Sequence, residues 1–268
     1  MNESLFLKII KHPAIILNLQ QNKKIYFLSD FHLGAPNAAE SLQREKKIVA
    51  FLDSIKNDAE QIFIVGDIFD FWFEYKTVVP KGYVRLLGKL AEISDAGIAI
   101  HFFVGNHDMW VRDYFQKELN MKVYFEPTPF EFKGKKFLVG HGDGRGPGDH
   151  GYKFLKKIFR NPVCQWMFGI LPPGIGLGIA NYFSRKSREA VKDIDEVFMG
   201  EENEWLLIYS REVLQKEHVD YFIFGHRHLP IDFTLQQNSH YINLGEWIKS
   251  FSYAVFDGEK TTLNYYQP

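Results

Sequence analysis

At 268 residues the chain can bury one large core and still carry an inserted segment. A net charge of -1 argues against a nucleic-acid partner, and a single cysteine, Cys164, leaves no internal disulfide and suits a reducing compartment. With 46% hydrophobic and 24% charged residues the composition is that of a soluble globular protein, and no obligate protein partner is indicated. The aromatic share of 16% either fills the core or lines an apolar groove.

Met1 to Gln21 carries an apolar stretch broken by Glu3, Lys8, Lys11 and Pro13, with no small-residue cleavage pattern behind it. It reads as a short extra element packed on the domain rather than as a signal peptide. Short apolar runs follow at Ile25–Ser29, Ile62–Gly66 and Ile98–Gly105. They are rich in β-branched and aromatic residues and too short for helices, so each reads as a buried strand. Between them, Leu42, Ile48, Val49, Leu52 and Ile55 mark one face of a helix; Val84, Leu87, Leu90 and Ala91 mark another. Strands alternating with helices argue for an α/β core.

Phe137–Gly140 and Tyr221–Gly225 read as further strands of this kind. From Gly144 to Gly200 the pattern is helical with Gly and Pro interruptions, which predicts a cap over residues 144–200 inserted into a single domain of residues 1–268. Ile231–Leu235, His240–Leu244, Ser252–Phe256 and Thr261–Tyr265 then read as strands joined by tight turns, with Asp257-Gly258 as a hairpin turn. The expected fold is two sheets packed together with helices outside.

Every early strand ends in metal-ligand chemistry: Asp30-x-His32, Gly66-Asp67-x-x-Asp70, Gly105-Asn106-His107-Asp108, Gly140-His141-Gly142 and Gly225-His226-x-His228. Ligands at the carboxyl ends of strands converge on one rim of the sheet. On an extended segment, residues two apart point the same way, so Asp30 with His32 and His226 with His228 can each approach one site. Carboxylates, imidazoles and one amide suit Mn²⁺, Fe or Zn²⁺ better than Ca²⁺, and no thiolate set for structural zinc is present. Asp67 is suited to bridge two cations that polarise a phosphate and generate hydroxide at neutral pH.

These five blocks resemble the calcineurin-like metallophosphoesterase superfamily from Lys24 to Phe256. The resemblance implies an αββα sandwich of two mixed sheets. One divalent ion, Mn²⁺ by expectation, would take Asp30, His32, Asp67 and His228; a second would take Asp67, Asn106, His141 and His226. His107 would sit beside the phosphate, oriented by Asp108, and Asp70 would serve only to support the ligands. Within the superfamily, Ser29–Gly34, Gly66–Trp72 and His141–Asp143 look like the UDP-2,3-diacylglucosamine diphosphatases, as does Asp149-x-x-Tyr152 followed by Ser184–Ser187. That family implies cleavage of an acylated UDP-sugar to UMP and the acylated sugar 1-phosphate during lipid A synthesis, in the cytoplasm at the inner membrane of a Gram-negative bacterium. Tyr152, Arg185, Lys186 and Ser187 would then be substrate contacts. His107 departs from the Arg that better-known proteobacterial members carry at this position, so the chain reads as a divergent branch.

The residues between Val163 and Phe183 carry no charge, and Pro172-Pro173 with Gly174, Gly176 and Gly178 interrupts them midway. Two short helices around a bend fit better than one spanning helix. Lys153, Lys156, Lys157 and Arg160 precede the stretch; Arg185, Lys186, Arg188 and Lys192 follow it. An apolar hairpin with cationic flanks can meet acyl chains and an anionic membrane surface; the alternative is a hairpin packed on the core with a solvated basic edge. Three functions remain to be separated: the acylated-sugar diphosphatase, a soluble phosphoesterase acting on a nucleotide or another phosphoester, and a scaffold used only for binding.

Overall fold

The computed structural model describes residues 13–147, 150–195 and 197–267, with the side chains of His150, Asn181, Arg185 and residues 187–195 outside the described set. Two six-stranded sheets stack at its centre. The first contains, in spatial order, β1 (Ile15–Ile16), β6 (Thr128–Phe132), β7 (Lys135–Gly140), β8 (Tyr221–Phe224), β10 (His240–Leu244) and β9 (Pro230–Thr234). The second runs β12 (Thr261–Tyr265), β11 (Ser252–Phe256), β2 (Lys24–Leu28), β3 (Ala59–Val65), β4 (Ala99–Phe103) and β5 (Lys122–Tyr124). Both are mixed: β2, β3, β4 and β5 pair in parallel, whereas β11 pairs antiparallel with β2 and with β12.

Alternation along the strands explains the layering, because successive side chains leave opposite faces of a sheet. Ile25 and Phe27 of β2, Phe63 and Val65 of β3, and Tyr221 and Ile223 of β8 enter the cluster between the sheets. Their neighbours Tyr26, Leu28, Ile62 and Ile64 face outward onto α1 (Ala38–Ile55) and α2 (Val84–Asp95), through Ile48, Phe51, Leu52, Leu86 and Leu90. On the far side, Phe222 and Phe224 pack on α7 (Trp205–Leu214) through Leu206, Leu207 and Val213. Each fully buried aliphatic or Phe side chain contributes about 1.5–3 kcal/mol by transfer, so the three apolar layers hold the sandwich. Much of the aromatic share lies here; Phe27, Phe63, Phe103, Tyr221 and Phe256 are all in the central layer.

Several elements go beyond the sequence reading. Of the N-terminal segment, residues 13–21 are described: Ile15 and Ile16 add a parallel edge strand to β6, and Leu19 enters the central layer; residues 1–12 lie outside the described set. The strands β5 and β6 and the short helix α3 (Tyr114–Leu119) were not expected. The β11–β12 hairpin closes over Asp257–Lys260, with Asp257 Oδ1 accepting from the amides of Glu259 and Lys260 at 2.9 Å each.

Between β7 and α7 the described residues form α4 (His150–Phe159), α5 (Pro162–Ile170) and α6 (Pro173–Asp195). Asn161 caps α5, its side chain accepting from the amides of Val163 and Cys164, and Pro162 stands in the first turn. The chain bends at Leu171-Pro172, where Pro172 cannot extend the helix it would follow. These helices dock on the rim of the sandwich: Phe168 lies 4.8 Å from Phe73 and 4.6 Å from Trp110, and Trp110 Nε1 donates to the carbonyl of Phe159 (2.7 Å). No helix among the described residues is long and apolar enough to cross a membrane.

Candidate metal centre

The loops after β2, β3, β4, β7 and β8 meet at one rim. Asp30, His32, Asp67, His226 and His228 all have positive φ, between 44° and 72°. The backbone is therefore left-handed at these residues and not extended, as the spacing of the Asp-x-His and His-x-His pairs had suggested. Non-glycine residues adopt this region at a cost of about 1–2 kcal/mol each. Glycine permits the crowding beside them. A Cβ on Gly66 (φ 92°) would lie 2.2 Å from His141 Nδ1, and one on Gly105 would lie 2.1 Å from Asp67 Oδ1.

The predicted ligands assemble into two groups. In the first, His228 Nε2 is 2.9 Å from His32 Nε2 and 3.3 Å from Asp30 Oδ1. In the second, Asn106 Oδ1 sits between His141 Nε2 (3.0 Å) and His226 Nδ1 (2.9 Å). Asp67 lies between them, its Oδ2 3.3 Å from His141 Nε2 and 3.8 Å from His32 Nε2. His226 and His228 thus face different groups, the consequence of their left-handed backbone. Asp30, His32 and Asp67 are buried.

These residues fit divalent cations. Asp30 Oδ1 is buried and accepts no hydrogen bond, while its Oδ2 accepts from the Ser29 hydroxyl and the His226 amide (3.1 Å). Three sets of ligand atoms, Asp30/His32/His228, His32/Asp67/His107 and Asp30/Asp67/His141, lie within 4.8 Å of one another. Burial opposes a proton on His32, yet the carboxylates of Asp30, Asp70 and Asp67 lift it to about 10. At His141 burial likewise opposes, and Asp67 prevails, again to about 10. The rim is a buried negative well that favours positive charge, and a metal ion would displace such protons. His141 Nδ1 is 2.8 Å from the Val65 carbonyl, the kind of support that fixes which nitrogen faces a metal.

His107 stands beside this rim. Its amide donates to Asp67 Oδ1 (2.8 Å), and its Nδ1 lies 2.9 Å from the Asp70 carbonyl. Burial lowers its pKa despite Asp67 and Asp70, which favours the neutral ring. Asp108 does not orient it as expected. The Asp108 carboxylate turns back to accept from the amides of Gly105 (2.6 Å) and Ile68 (2.9 Å), bracing the loops after β3 and β4 against each other. Asp70 is the acidic neighbour of His107, and Ser184 of α6 reaches both, 2.9 Å from Asp70 Oδ2 and 3.2 Å from His107 Nδ1.

Tyr152 comes to the site from α4: its ring centre is 6.3 Å from that of His226, and its hydroxyl donates to Asp143 Oδ2 (2.5 Å). Lys156 forms an ion pair with the same carboxylate. Lys186 is exposed and lines the cavity at the rim, whereas the side chains of Arg185 and Ser187 lie outside the described residues. That cavity, about 710 Å³, runs from Asn106 and His107 under α4 and α6 and is bounded by Trp110, Phe159, Phe168 and Phe183.

Sequence reasoning missed the supports. Arg44, buried in α1, donates to the carbonyls of Phe31, His32 and Ala35 (2.8–3.0 Å) and so holds the loop that carries His32. Glu204 pairs with Arg227 behind the His226-x-His228 loop. Ser184 stood in a noted stretch, yet only its placement on α6 over Asp70 marks it. For Arg44 and Glu204 no local signal exists, because both partners are remote in sequence.

Comparison with known proteins agrees with this geometry. The model of the calcineurin-like phosphoesterases matches residues 23–230. A protein of Porphyromonas gingivalis named UDP-2,3-diacylglucosamine hydrolase is 40% identical over 252 residues, covering 90% of this chain and 95% of that protein. Proteins of the same name from a Shewanella species and from Histophilus somni are 27% and 28% identical; the alignments cover 84% of this chain in both cases and 90% and 92% of those proteins. A family match across the ligand loops, with the ligands assembled at one rim, makes this chain a metal-dependent hydrolase belonging to the calcineurin-like phosphoesterase family.

Proposed function

We propose that the protein hydrolyses the diphosphate bond of UDP-2,3-diacylglucosamine, giving UMP and 2,3-diacylglucosamine 1-phosphate in lipid A biosynthesis. The observation that carries this reading is the joining of the polar rim to an apolar cavity of about 710 Å³. One substrate needs both, a phosphoester with acyl chains attached, and the named relatives support that class. A water-soluble nucleotide would leave the apolar wall that Trp110, Phe159, Phe168 and Phe183 present to the cavity uncovered.

Asp30, His32, Asp67 and His228 would hold one divalent ion, and Asp67, Asn106, His141 and His226 a second, with Mn²⁺ the expected metal. Bound there, such ions supply Lewis acidity toward a phosphoryl oxygen and a nucleophile at neutral pH. The chain's own residues do the rest. His107 donates its Nδ1 proton to the Asp70 carbonyl and turns its other ring nitrogen to the cavity, where that nitrogen takes up a proton and donates it to the phosphate once the anion is bound. Where an Arg would clamp phosphate with two parallel bonds, His107 offers one. Lys186, exposed at the cavity rim, brings charge toward the diphosphate, and Arg185 and Ser187, its neighbours in sequence, are the further candidate contacts. Tyr152, fixed by Asp143, closes one wall. The helices α4 to α6 act as a cap that excludes water from the cavity.

The outer face of this cap supports work at a membrane surface. Val163, Trp166, Met167 and Ile170 recur at i, i+3, i+4 and i+7 on α5, and each is 60–65% exposed. Such a stripe, with the exposed Lys157 on the preceding helix, suits shallow contact with an anionic bilayer from the cytoplasmic side.

The test is release of UMP from UDP-2,3-diacylglucosamine by purified protein with Mn²⁺, with UDP-N-acetylglucosamine as the unacylated control. Cleavage of the acylated substrate at least a hundredfold faster is expected. Equal rates on both would refute a lipid substrate.

A further inference from the structure

Behind the metal-ligand loop after β8 lies a buried ion pair. Arg227, between His226 and His228, is 4% exposed, and Glu204, at the start of α7, is fully buried. The guanidinium meets the carboxylate with two parallel bonds: Nε to Oε2 at 3.0 Å and Nη2 to Oε1 at 2.9 Å. Nη2 also donates to the carbonyl of Val197 (2.9 Å), and Glu204 Oε1 accepts from the amide of Met199 (3.0 Å). The pair therefore joins three pieces: the ligand loop, the start of α7, and the segment by which the chain returns from the cap.

Its position matters because of the backbone on either side. His226 and His228 have φ of 72° and 47°, a conformation that neither side chain favours. Between them the Arg227 amide closes a tight turn on the Gly225 carbonyl (2.9 Å). With its planar head held at two points, Arg227 has little freedom to rotate, and the loop has little freedom to relax toward ordinary φ. Buried ion pairs contribute little net stability compared with apolar pairs of the same size, so stability alone is a weak reason for this one.

We infer that Glu204 and Arg227 are positioning residues that hold His226 and His228 in ligand geometry, and that they act on metal affinity rather than on fold stability. The inference rests on reading His226 and His228 as metal ligands, so the experiment includes a control for that reading.

Mn²⁺ binding to chelator-treated protein is measured by calorimetric titration for wild type, Glu204→Gln, the apolar double variant Glu204→Leu/Arg227→Met, and His226→Ala. Melting of each metal-free protein is recorded alongside. Glu204→Gln is expected to weaken Mn²⁺ binding roughly ten- to a hundredfold, the range typical of groups that support ligands. The double variant is expected to melt at or above the wild-type temperature and yet bind Mn²⁺ as weakly as Glu204→Gln. If the double variant recovers wild-type affinity, the pair only fills space and the inference is overturned. Wild-type affinity in Glu204→Gln with weakened binding in His226→Ala overturns it too. If His226→Ala also binds normally, the ligand reading itself fails. Should Glu204→Gln not fold, the double variant decides between the same outcomes.

Discussion

Replacing Gly105 with alanine tests the rim geometry with a single methyl group. The added Cβ would lie 2.1 Å from Asp67 Oδ1 and 2.6 Å from the Asp67 amide nitrogen, where real contacts stay beyond 3.0 Å. The carboxylate must therefore retreat by about 0.9 Å, and its amide neighbour gives way less readily because it belongs to the backbone. A displacement of about 1 Å in a reacting group costs on the order of a hundredfold in rate, and overpacking costs about 1–3 kcal/mol in stability. Gly105→Ala should thus lose about a hundredfold in kcat with Mn²⁺ and melt several degrees lower. Gly88→Ala is the matched control. Gly88 lies inside α2 with nothing within 4 Å of its would-be Cβ, so alanine should add about 0.5–1 kcal/mol and leave kcat unchanged. The two variants are compared by steady-state hydrolysis and thermal melting. Wild-type kcat in Gly105→Ala would refute the claim that close packing of Gly105 on Asp67 sets the site.

Asp67→Ala, which removes the carboxylate between the two ligand groups, should lower turnover at least a thousandfold while circular dichroism stays unchanged; substantial residual turnover would contradict a metal-dependent reaction at this rim. Acid should destabilise the fold through His101, which burial and the nearby Lys122 depress to about 3, far below its unfolded value. A depressed histidine gives its stability in full above about pH 6.5 and loses it as pH falls toward 3, by up to about 1.4 kcal/mol per pH unit. Denaturant titrations of His101→Gln should show a shallower fall over that window than wild type, and parallel curves would exclude His101 as the cause. Changing Trp166, Met167 and Ile170 together to serine should cut co-sedimentation with anionic phospholipid vesicles roughly tenfold or more, since each buried side chain is worth about 1.5–3 kcal/mol. Undiminished binding would place the membrane-facing surface elsewhere.

The ligand loops were legible because their information is local: a short apolar run, then Ser or Gly and an Asp, Asn or His at its end. The sheets beyond them were less so. Thr128–Phe132 contains Pro129 and Glu131, which speak against a strand, yet β1 and β7 flank it and settle its form. Lys122–Tyr124 is three partly exposed residues whose strand character comes from pairing with β4. Asp108 misled for a related reason. The family resemblance implied a partnership with His107, but the turn at Gly105 aims the carboxylate at backbone amides. Arg44 looks in sequence like a solvent-facing helix residue and is instead buried over the carbonyls of the loop that follows β2. Such supports arise only when distant segments meet.

The left-handed ligands have an evolutionary consequence. Asp30, His32, Asp67, His226 and His228 occupy backbone conformations that glycine or asparagine would adopt with less strain. The need for metal opposes that exchange, joined at Asp30 and Asp67 by the loop amides that their carboxylates accept. In a descendant released from catalysis, drift toward stability should therefore reach these positions early, and glycine or asparagine there would be the mark of a lineage that has kept the sandwich and abandoned the chemistry.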